Sequence, residues 1–394
     1  MKLNLGDQKN ACIVGVGRSI ISRDSGKTAT TLATDACVAA IQDAGLTSAD
    51  INGLATNEMG LLNGYQLRES LGLSNVSWYG QMGLPQVTAT FSMIEAAMAV
   101  EYGASTYAVV VMGAMKPRGN GSRRDPFAGM PRPPRIGGEG QWSAPFGGNG
   151  FSFVHWMSRY MWKYGAPRET FGHIALTARK HAADNAGASA RGPLTMDEYL
   201  NARWISKPFC LFDCDYPVDG YAAVVITTPD RARHLPHRPV SIIAGSQKTG
   251  PRTETMLWDD MSNMGATYCS REMWELAAGT GIRPEDVQVA CLYDGFTILT
   301  VNWLEALGFI NVGEAKDVLV GDAMQLGSSG PGPVLNPNGG MLSEGRVHGM
   351  GFVAEAADQL MGRSGARQVP DARIAVVSNG AGVQNCSMLL KALV

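Results

Sequence analysis

Hydrophobic residues follow two patterns along this chain: short unbroken apolar runs, and longer stretches with an apolar residue every three or four positions. The first run, Ala11 to Val16, is closed by Gly15 and Gly17 and predicts a buried strand. Thr31 to Ala44 then carries Leu32, Ala36, Ala39, Ala40 and Ala44 at helical spacing, with Gly45 as its stop, and predicts a helix. The same reading predicts strands at Ile51 to Thr56 and Tyr107 to Met112, separated by a small-residue helix from Phe91 to Tyr102 that Gly103 ends. Strands alternating with helices imply a mostly parallel sheet covered on both faces.

The pattern returns late in the chain, with strands at Val240 to Ala244 and Val287 to Tyr293, helices at Ser270 to Ala278 and Gly351 to Met361, and a last buried strand from Arg373 to Ser378. Two short matches link the halves. Gly45-Leu-Thr-Ser-Ala-Asp50-Ile51 and Gly281-Ile-Arg-Pro-Glu-Asp286-Val287 share a helix-ending Gly, an Asp five residues on, and a strand start. Glu95-Ala-Ala and Glu355-Ala-Ala each open the helix before the last strand of their half. Two related βαβ halves are expected, residues 1–118 (completed by about 208–238) and 239–394, with 119–207 as an inserted loop domain.

The insert starts unlike the rest. Pro117 to Gly138 holds five Pro, five Arg (Arg118, Arg123, Arg124, Arg132, Arg135) and one acid, Asp125. Such a loop is either a solvated surface or a clamp for a polyphosphate, because Arg offers forked donors to phosphate oxygens. It leads into an amphipathic aromatic helix, Phe151 to Tyr164, and a second helix from Glu169 to His181.

Composition narrows the function. The 394 residues allow two or three domains. The 33 Lys and Arg against 35 Asp and Glu leave no field of one sign to attract nucleic acid or an anionic membrane. No apolar run approaches the ~20 residues of a membrane span. The first ten residues lack a signal-peptide core and the seven Cys form no pairing framework, so a reduced, cytoplasmic protein is expected. Cys210 and Cys214 have no second pair at metal spacing, and no metal site is expected.

In doubly wound sheets, ligands gather at the carboxyl ends of strands. Four segments fit: Trp78 to Thr90, Tyr293 to Thr297, the Gly-rich stretch Asn336 to Gly349, and Ser378 to Gly382 after the last predicted strand. Their Gly residues let backbone N–H groups face an anion or a developing oxyanion.

The ordered set Tyr160-Met-Trp-Lys-Tyr-Gly165, Phe209-Cys-Leu-Phe-Asp-Cys-Asp-Tyr-Pro-Val-Asp-Gly220, Tyr293-Asp-Gly-Phe-Thr, Asn336-Pro-Asn-Gly-Gly and Asn379-Gly-Ala-Gly resembles the thiolase superfamily, in its sterol-carrier-protein or lipid-transfer-protein branch. The resemblance runs from about residue 11 to the C-terminus. It implies an α/β fold of five αβαβα layers in two similar halves, an inserted loop domain that binds coenzyme A, and a homodimer formed through the first-half sheet edge.

The thiolase cysteines are missing. The position of the first nucleophile matches about Val87, that of the second matches Ser378 or Asn379, and Cys386 lies beyond the motif. Arg346 stands in register with the His of the family's Gly-His-Pro, with His348 two residues on. Tyr293-Asp-Gly-Phe-Thr is similar to the motif of the steroid side-chain-degrading retro-aldolases. That resemblance implies cleavage of a β-hydroxyacyl-CoA to a ketone or aldehyde and a shorter acyl-CoA. Coenzyme A then enters only as part of the substrate, and a small OB-fold and zinc-ribbon partner chain is implied.

Retro-aldol chemistry needs a base for the β-hydroxyl, donors for the thioester enolate and an acid for its α-carbon. Tyr293 can move a proton if a cation lowers its pKa, and Arg346 is the candidate cation. Arg346 can equally pair with Glu344 or another acid. Tyr293 can be a core tyrosine, and His348 a proton shuttle or a structural histidine. Gly380 and Gly382 are candidate backbone donors, and Asp294 is expected to hold its loop. Two other functions stay open: a non-catalytic subunit that scaffolds a partner, and an acyltransferase with Thr88 or Thr90 as nucleophile.

Overall fold

The computed structural model describes residues 10–57, 62–82, 88–116, 152–250, 260–382 and 384–393. The Arg118 to Arg135 cluster and Val87 lie outside them. The strands are β1 Cys12–Arg18, β2 Gly53–Asn57, β3 Trp78–Met82, β4 Ala108–Ala114, β5 Trp204–Ser206, β6 Phe209–Cys210, β7 Gly220–Thr227, β8 Val240–Thr249, β9 Val289–Cys291, β10 Val334–Leu335, β11 Ile374–Ala381 and β12 Gln384–Ala392. All but β5 and β6 join in the order β10-β9-β11-β12-β8-β1-β7-β4-β2-β3.

Within the sheet the two sides join at β1 and β8, where Cys12 pairs with Ser241 and Ile13 with Val240. Each side repeats one topology. β3, β2 and β4 are parallel, β7 is antiparallel to β4, and β1 is antiparallel to β7. β10, β9, β11, β12 and β8 reproduce that order and those directions. The connecting turns repeat as well. Gly45 and Gly281 both take the left-handed conformation (φ 70° and 71°). Each leads into a 3₁₀ turn closed by an Asp that accepts a backbone N–H three residues back, Thr47 to Asp50 at 2.8 Å and Arg283 to Asp286 at 2.9 Å.

Five layers follow from what each helix touches. Helix Ala29–Asp43 covers β1, β4 and β7 from outside, and helix Gly265–Ala277 covers β8, β11 and β12. Helices Thr88–Tyr102 and Met350–Met361 touch strands of both sides, so they form the middle layer. A helix covered all round needs no polar stripe, and every residue from Met350 to Leu360 is buried. On the outer face, a Cβ at Gly15 or Gly17 would fall within 2.3 Å of helix carbonyls, so these glycines let helix Ala29–Asp43 lie directly on β1.

The structure corrects four expectations. The ten-stranded sheet is mixed rather than mostly parallel, with five antiparallel pairings to four parallel among the described residues, because two antiparallel strands follow the parallel ones on each side. β11 runs on through Ala381, so the Ser378 to Ala381 motif is strand rather than the loop after the last strand, and β12 follows it. β12 escapes the apolar-run reading because it opens Gln-Asn-Cys-Ser in a fully covered position. Glu95 and Glu355 sit inside their helices and do not open them. Helices Ser152–Tyr164 and Arg168–Ala183 pack on helix Thr297–Ala306, itself unpredicted because it is buried on nearly every face.

Candidate active site

The loops that leave β9, β10 and β11 are stitched to one another. Asn336, on left-handed backbone after β10, accepts the Leu292 N–H at 2.7 Å through Oδ1 and donates to the Leu292 carbonyl at 3.0 Å through Nδ2. Asp294 accepts the Met341 N–H at 2.8 Å and Asn336 Nδ2 at 3.1 Å. It holds its loop, as expected, and burial pushes its carboxyl up to about 7.

The segment Cys214 to Pro217 threads between these loops. The Asp215 N–H donates to the Gly295 carbonyl (3.1 Å), the Tyr216 N–H to the Met341 carbonyl (2.8 Å), and the Arg346 N–H to the Tyr216 carbonyl (2.9 Å). Asp213 anchors the segment by accepting the Tyr199 hydroxyl, the Thr297 hydroxyl and the Cys210 N–H.

Tyr293 is buried at the end of β9 and its N–H donates to Ser378 Oγ at 3.3 Å. Burial pushes its phenol above the ordinary value and Asp215 adds to the rise, while Arg346 opposes it. The expectation that a cation lowers this pKa is therefore corrected: the guanidinium is present, but desolvation and the neighbouring acid outweigh it. Arg346 pairs with Asp215, not Glu344, placing Nη1 3.4 Å from both carboxylate oxygens. Burial nevertheless raises the Asp215 carboxyl. Glu344 instead accepts Asn185 Nδ2 at 2.9 Å and Asn338 Nδ2 at 2.6 Å.

His348 also takes left-handed backbone (φ 50°) and is buried, its Nδ1 unpaired among the described residues. Burial, then the Arg346 charge, pushes its imidazole down to about 3, so the ring is neutral at physiological pH. In the unfolded chain the ring protonates near ~6.5. Between that value and 3 the unfolded state binds more protons than the folded one, so stability falls as pH drops through this window. His348→Gln should reduce that share of the slope in urea titrations run across it, leaving that of His181, whose pKa burial also lowers, and the opposing shares of the raised carboxyls Asp294, Asp215 and Glu344. An unchanged slope would mean that His348 carries its proton in the folded protein.

The Gly345 to Gly349 turn faces β11. A Cβ on Gly349 would lie 2.0 Å from Asn379 Nδ2, so only glycine fits there. Asn379 Oδ1 accepts the Thr90 N–H at 3.0 Å and also the Thr90 hydroxyl. Thr90 is thus fully buried, with its proton held by an amide oxygen, a far weaker base than an imidazole, and it is no nucleophile. Gly380 lies in β11 opposite Asn385, with its carbonyl accepting Trp303 Nε1 at 3.1 Å.

No thiol replaces the missing nucleophiles: all seven Cys are free, and burial pushes every one above its ordinary pKa. Among the described residues no group of three or more His, Cys, Asp or Glu is placed to hold a metal ion, and no helix is long and apolar enough to cross a membrane. The site thus gathers Tyr293, Asp215, Arg346, His348 and the Thr90–Asn379 pair. Sequence reasoning overlooked Asp215, although it lies in the quoted Cys-Asp-Tyr-Pro run, and gave Asn379 no role of its own.

A family described as Thiolase C-terminal domain-like matches residues 251–391. The chain is 34% identical to the 17-hydroxy-3-oxo-4-pregnene-20-carboxyl-CoA lyase of Mycobacterium tuberculosis, over 96% of this chain and 98% of that one. The chain belongs to the thiolase superfamily, in the branch of the steroid side-chain-cleaving aldolases. It is 33% identical to a steroid side-chain-cleaving aldolase of Thermomonospora curvata, over 97% of this chain and 98% of the relative. Among solved structures, the Ltp2-ChsH2(DUF35) aldolase superposes with a TM-score of 0.85 at 31% identity, covering 98% of both chains. The family expected from the motifs is therefore the family found, and its two relatives named here are a lyase and an aldolase rather than cysteine-dependent thiolases.

Proposed function

We propose that this protein cleaves the side chain of a 17-hydroxysteroid acyl-CoA by a retro-aldol reaction. The carrying observation is the site itself: polar groups able to move a proton and bind an oxyanion gather around Tyr293, while the neighbouring thiols, Cys214 and Cys291, are pushed by burial away from the thiolate a nucleophile needs. The relatives' substrate class and whole-length similarity support the reading.

A base takes the β-hydroxyl proton, the bond between the α- and β-carbons breaks, and its electron pair passes into the thioester as an enolate. The hydroxyl carbon leaves as a ketone, and the enolate takes a proton at its α-carbon. Tyr293, held protonated by its surroundings, is the acid. Asp215, raised by burial and steadied by Arg346, is the base. His348, neutral, and the Gly380 backbone line the site. For a 17-hydroxy-20-carboxyl-CoA the products are a 17-ketosteroid and propionyl-CoA, and mass spectrometry of that mixture is the test. Recovery of uncleaved thioester alone, with and without a partner chain, would sink the reading.

Coenzyme A is proposed to bind through the Arg118, Arg123, Arg124 and Arg132 stretch of the insert 119–207, on the ground of its charge. Replacing Arg123 and Arg124 by Ala should raise KM for the thioester and weaken its salt dependence, with kcat kept. An unchanged KM would make the stretch a solvated loop.

A homodimer and a DUF35-type OB-fold and zinc-ribbon partner complete the proposal. The dimer is supported by β3, an edge strand that pairs on one side only among the described residues. The partner is supported by the composition of the similar aldolase complex. Light scattering that finds a monomer, or full activity without an added chain, would remove the corresponding element.

A further inference from the structure

Asn379 is fully buried on β11, and its orientation follows from its neighbours. The Thr90 main-chain N–H can only donate, so the amide atom facing it at 3.0 Å must be the oxygen. The Thr90 hydroxyl donates to the same oxygen. With Oδ1 fixed twice, Nδ2 must point the other way, toward the turn that carries His348, where Gly349 leaves room for it. Among the described residues it finds no partner there. Arg346 Nε and His348 Nδ1, on that same turn, are also buried and unpaired. Folded proteins rarely leave such buried polar atoms unsatisfied. Three such atoms gathered on this turn and the strand it faces mark a place for a group that arrives with a ligand, and Asn379 Nδ2 and Arg346 Nε, which can only donate, call for an oxygen.

The chemistry selects which oxygen. A neutral amide NH₂ donates and cannot take a proton, so it is of no use as base to the β-hydroxyl. It suits an atom on which negative charge grows. In retro-aldol cleavage that atom is the thioester oxygen, which becomes the enolate oxygen as the electron pair of the breaking carbon–carbon bond enters the thioester. We propose that Asn379 is a catalytic residue whose Nδ2 donates to this oxygen, with Thr90 as the positioning residue that holds the amide in its one useful orientation. The assignment rests on the retro-aldol reading above.

Two assays on the full chain, with its partner where one is needed, separate the possibilities. One follows cleavage of the 17-hydroxysteroid thioester. The other follows exchange of the α-hydrogens of propionyl-CoA with deuterium from D₂O, which reports enolate formation alone. Asn379→Ala and the near-isosteric Asn379→Asp should lower both rates by about 10²- to 10³-fold, the usual loss for one oxyanion donor, with KM changed by no more than a few-fold. Thr90→Val, which keeps the N–H that orients the amide, should lose about tenfold in both. Where the Ala variant fails to fold, the Asp variant decides. A folded Asn379 variant that exchanges at the wild-type rate would overturn the assignment, whether or not it still cleaves. Wild-type protein that exchanges but does not cleave would sink the aldolase reading and leave the Asn379 assignment standing.

Discussion

Tyr293→Phe should lower kcat for carbon–carbon cleavage by about 10²- to 10⁴-fold, the contribution of a general acid or base, at an unchanged melting temperature. The substitution keeps the ring that fills the end of β9 and removes only the hydroxyl. A tyrosine serving the core alone would lose at most the ~1 kcal/mol of one hydrogen bond. The raised pKa sets the direction of the chemistry: the phenol holds its proton and can deliver it to the enolate. Arg346→Ala removes a cation that pulls that pKa down, so the alkaline limb of the rate profile should move to higher pH. Cleavage by Tyr293→Phe within a few-fold of the wild type would dismiss Tyr293 as the acid.

Much of the architecture can be read without coordinates, and the reason is burial. Central strands covered on both faces are nearly all apolar, which is why Ala108–Ala114 and the Ile374 to Val377 part of β11 stand out at sight. The Gly-to-Asp turn at 45–50 and 281–286 is visible because a left-handed glycine and a carboxylate cap have few substitutes. What stayed hidden is polar sequence in covered places. Gln384–Ala392 begins with four residues of a loop's composition, yet pairs along its length with β11 and β8.

The site divides in the same way. Tyr293, His348 and Arg346 come from short motifs, and the topology does bring them together. Their charge states do not come from motifs. A local reading of Arg346 beside Tyr293 gives a lowered pKa, because it omits both desolvation and Asp215, about 80 residues away in sequence and joined to Arg346 only in the fold. Asn379 and Thr90 are separated by 289 residues, so no spacing could expose the pair. The one signal available was an Asn at the place of an expected Cys.

Glu355→Ala should cost about 3–5 kcal/mol of stability, the loss expected when one member of a buried ion pair is removed. Glu355 sits at the centre of the middle layer with no exposed surface. Arg367 Nη2 lies 3.0 Å from its carboxylate and Arg18 Nη2, from β1, lies 3.8 Å away. One helical turn on, Asp358 takes Arg18 Nη1 at 2.6 Å and Arg363 Nε at 2.7 Å, and Arg363 reaches Asp43 at the end of helix Ala29–Asp43. The ladder therefore ties the helix before β11 to the first strand and the outer helix of the other half. Removing Glu355 leaves Arg18 its nearer anion, Asp358, but strands Arg367 in low dielectric, which costs more than the pair itself contributes. Arg367→Ala added to Glu355→Ala should accordingly cost less than the sum of the two single changes, because the second removes a cation the first left unpaired. Urea midpoints with unchanged slopes give these values. A loss below ~1 kcal/mol for Glu355→Ala would show that solvent or another acid already serves the Arg367 guanidinium.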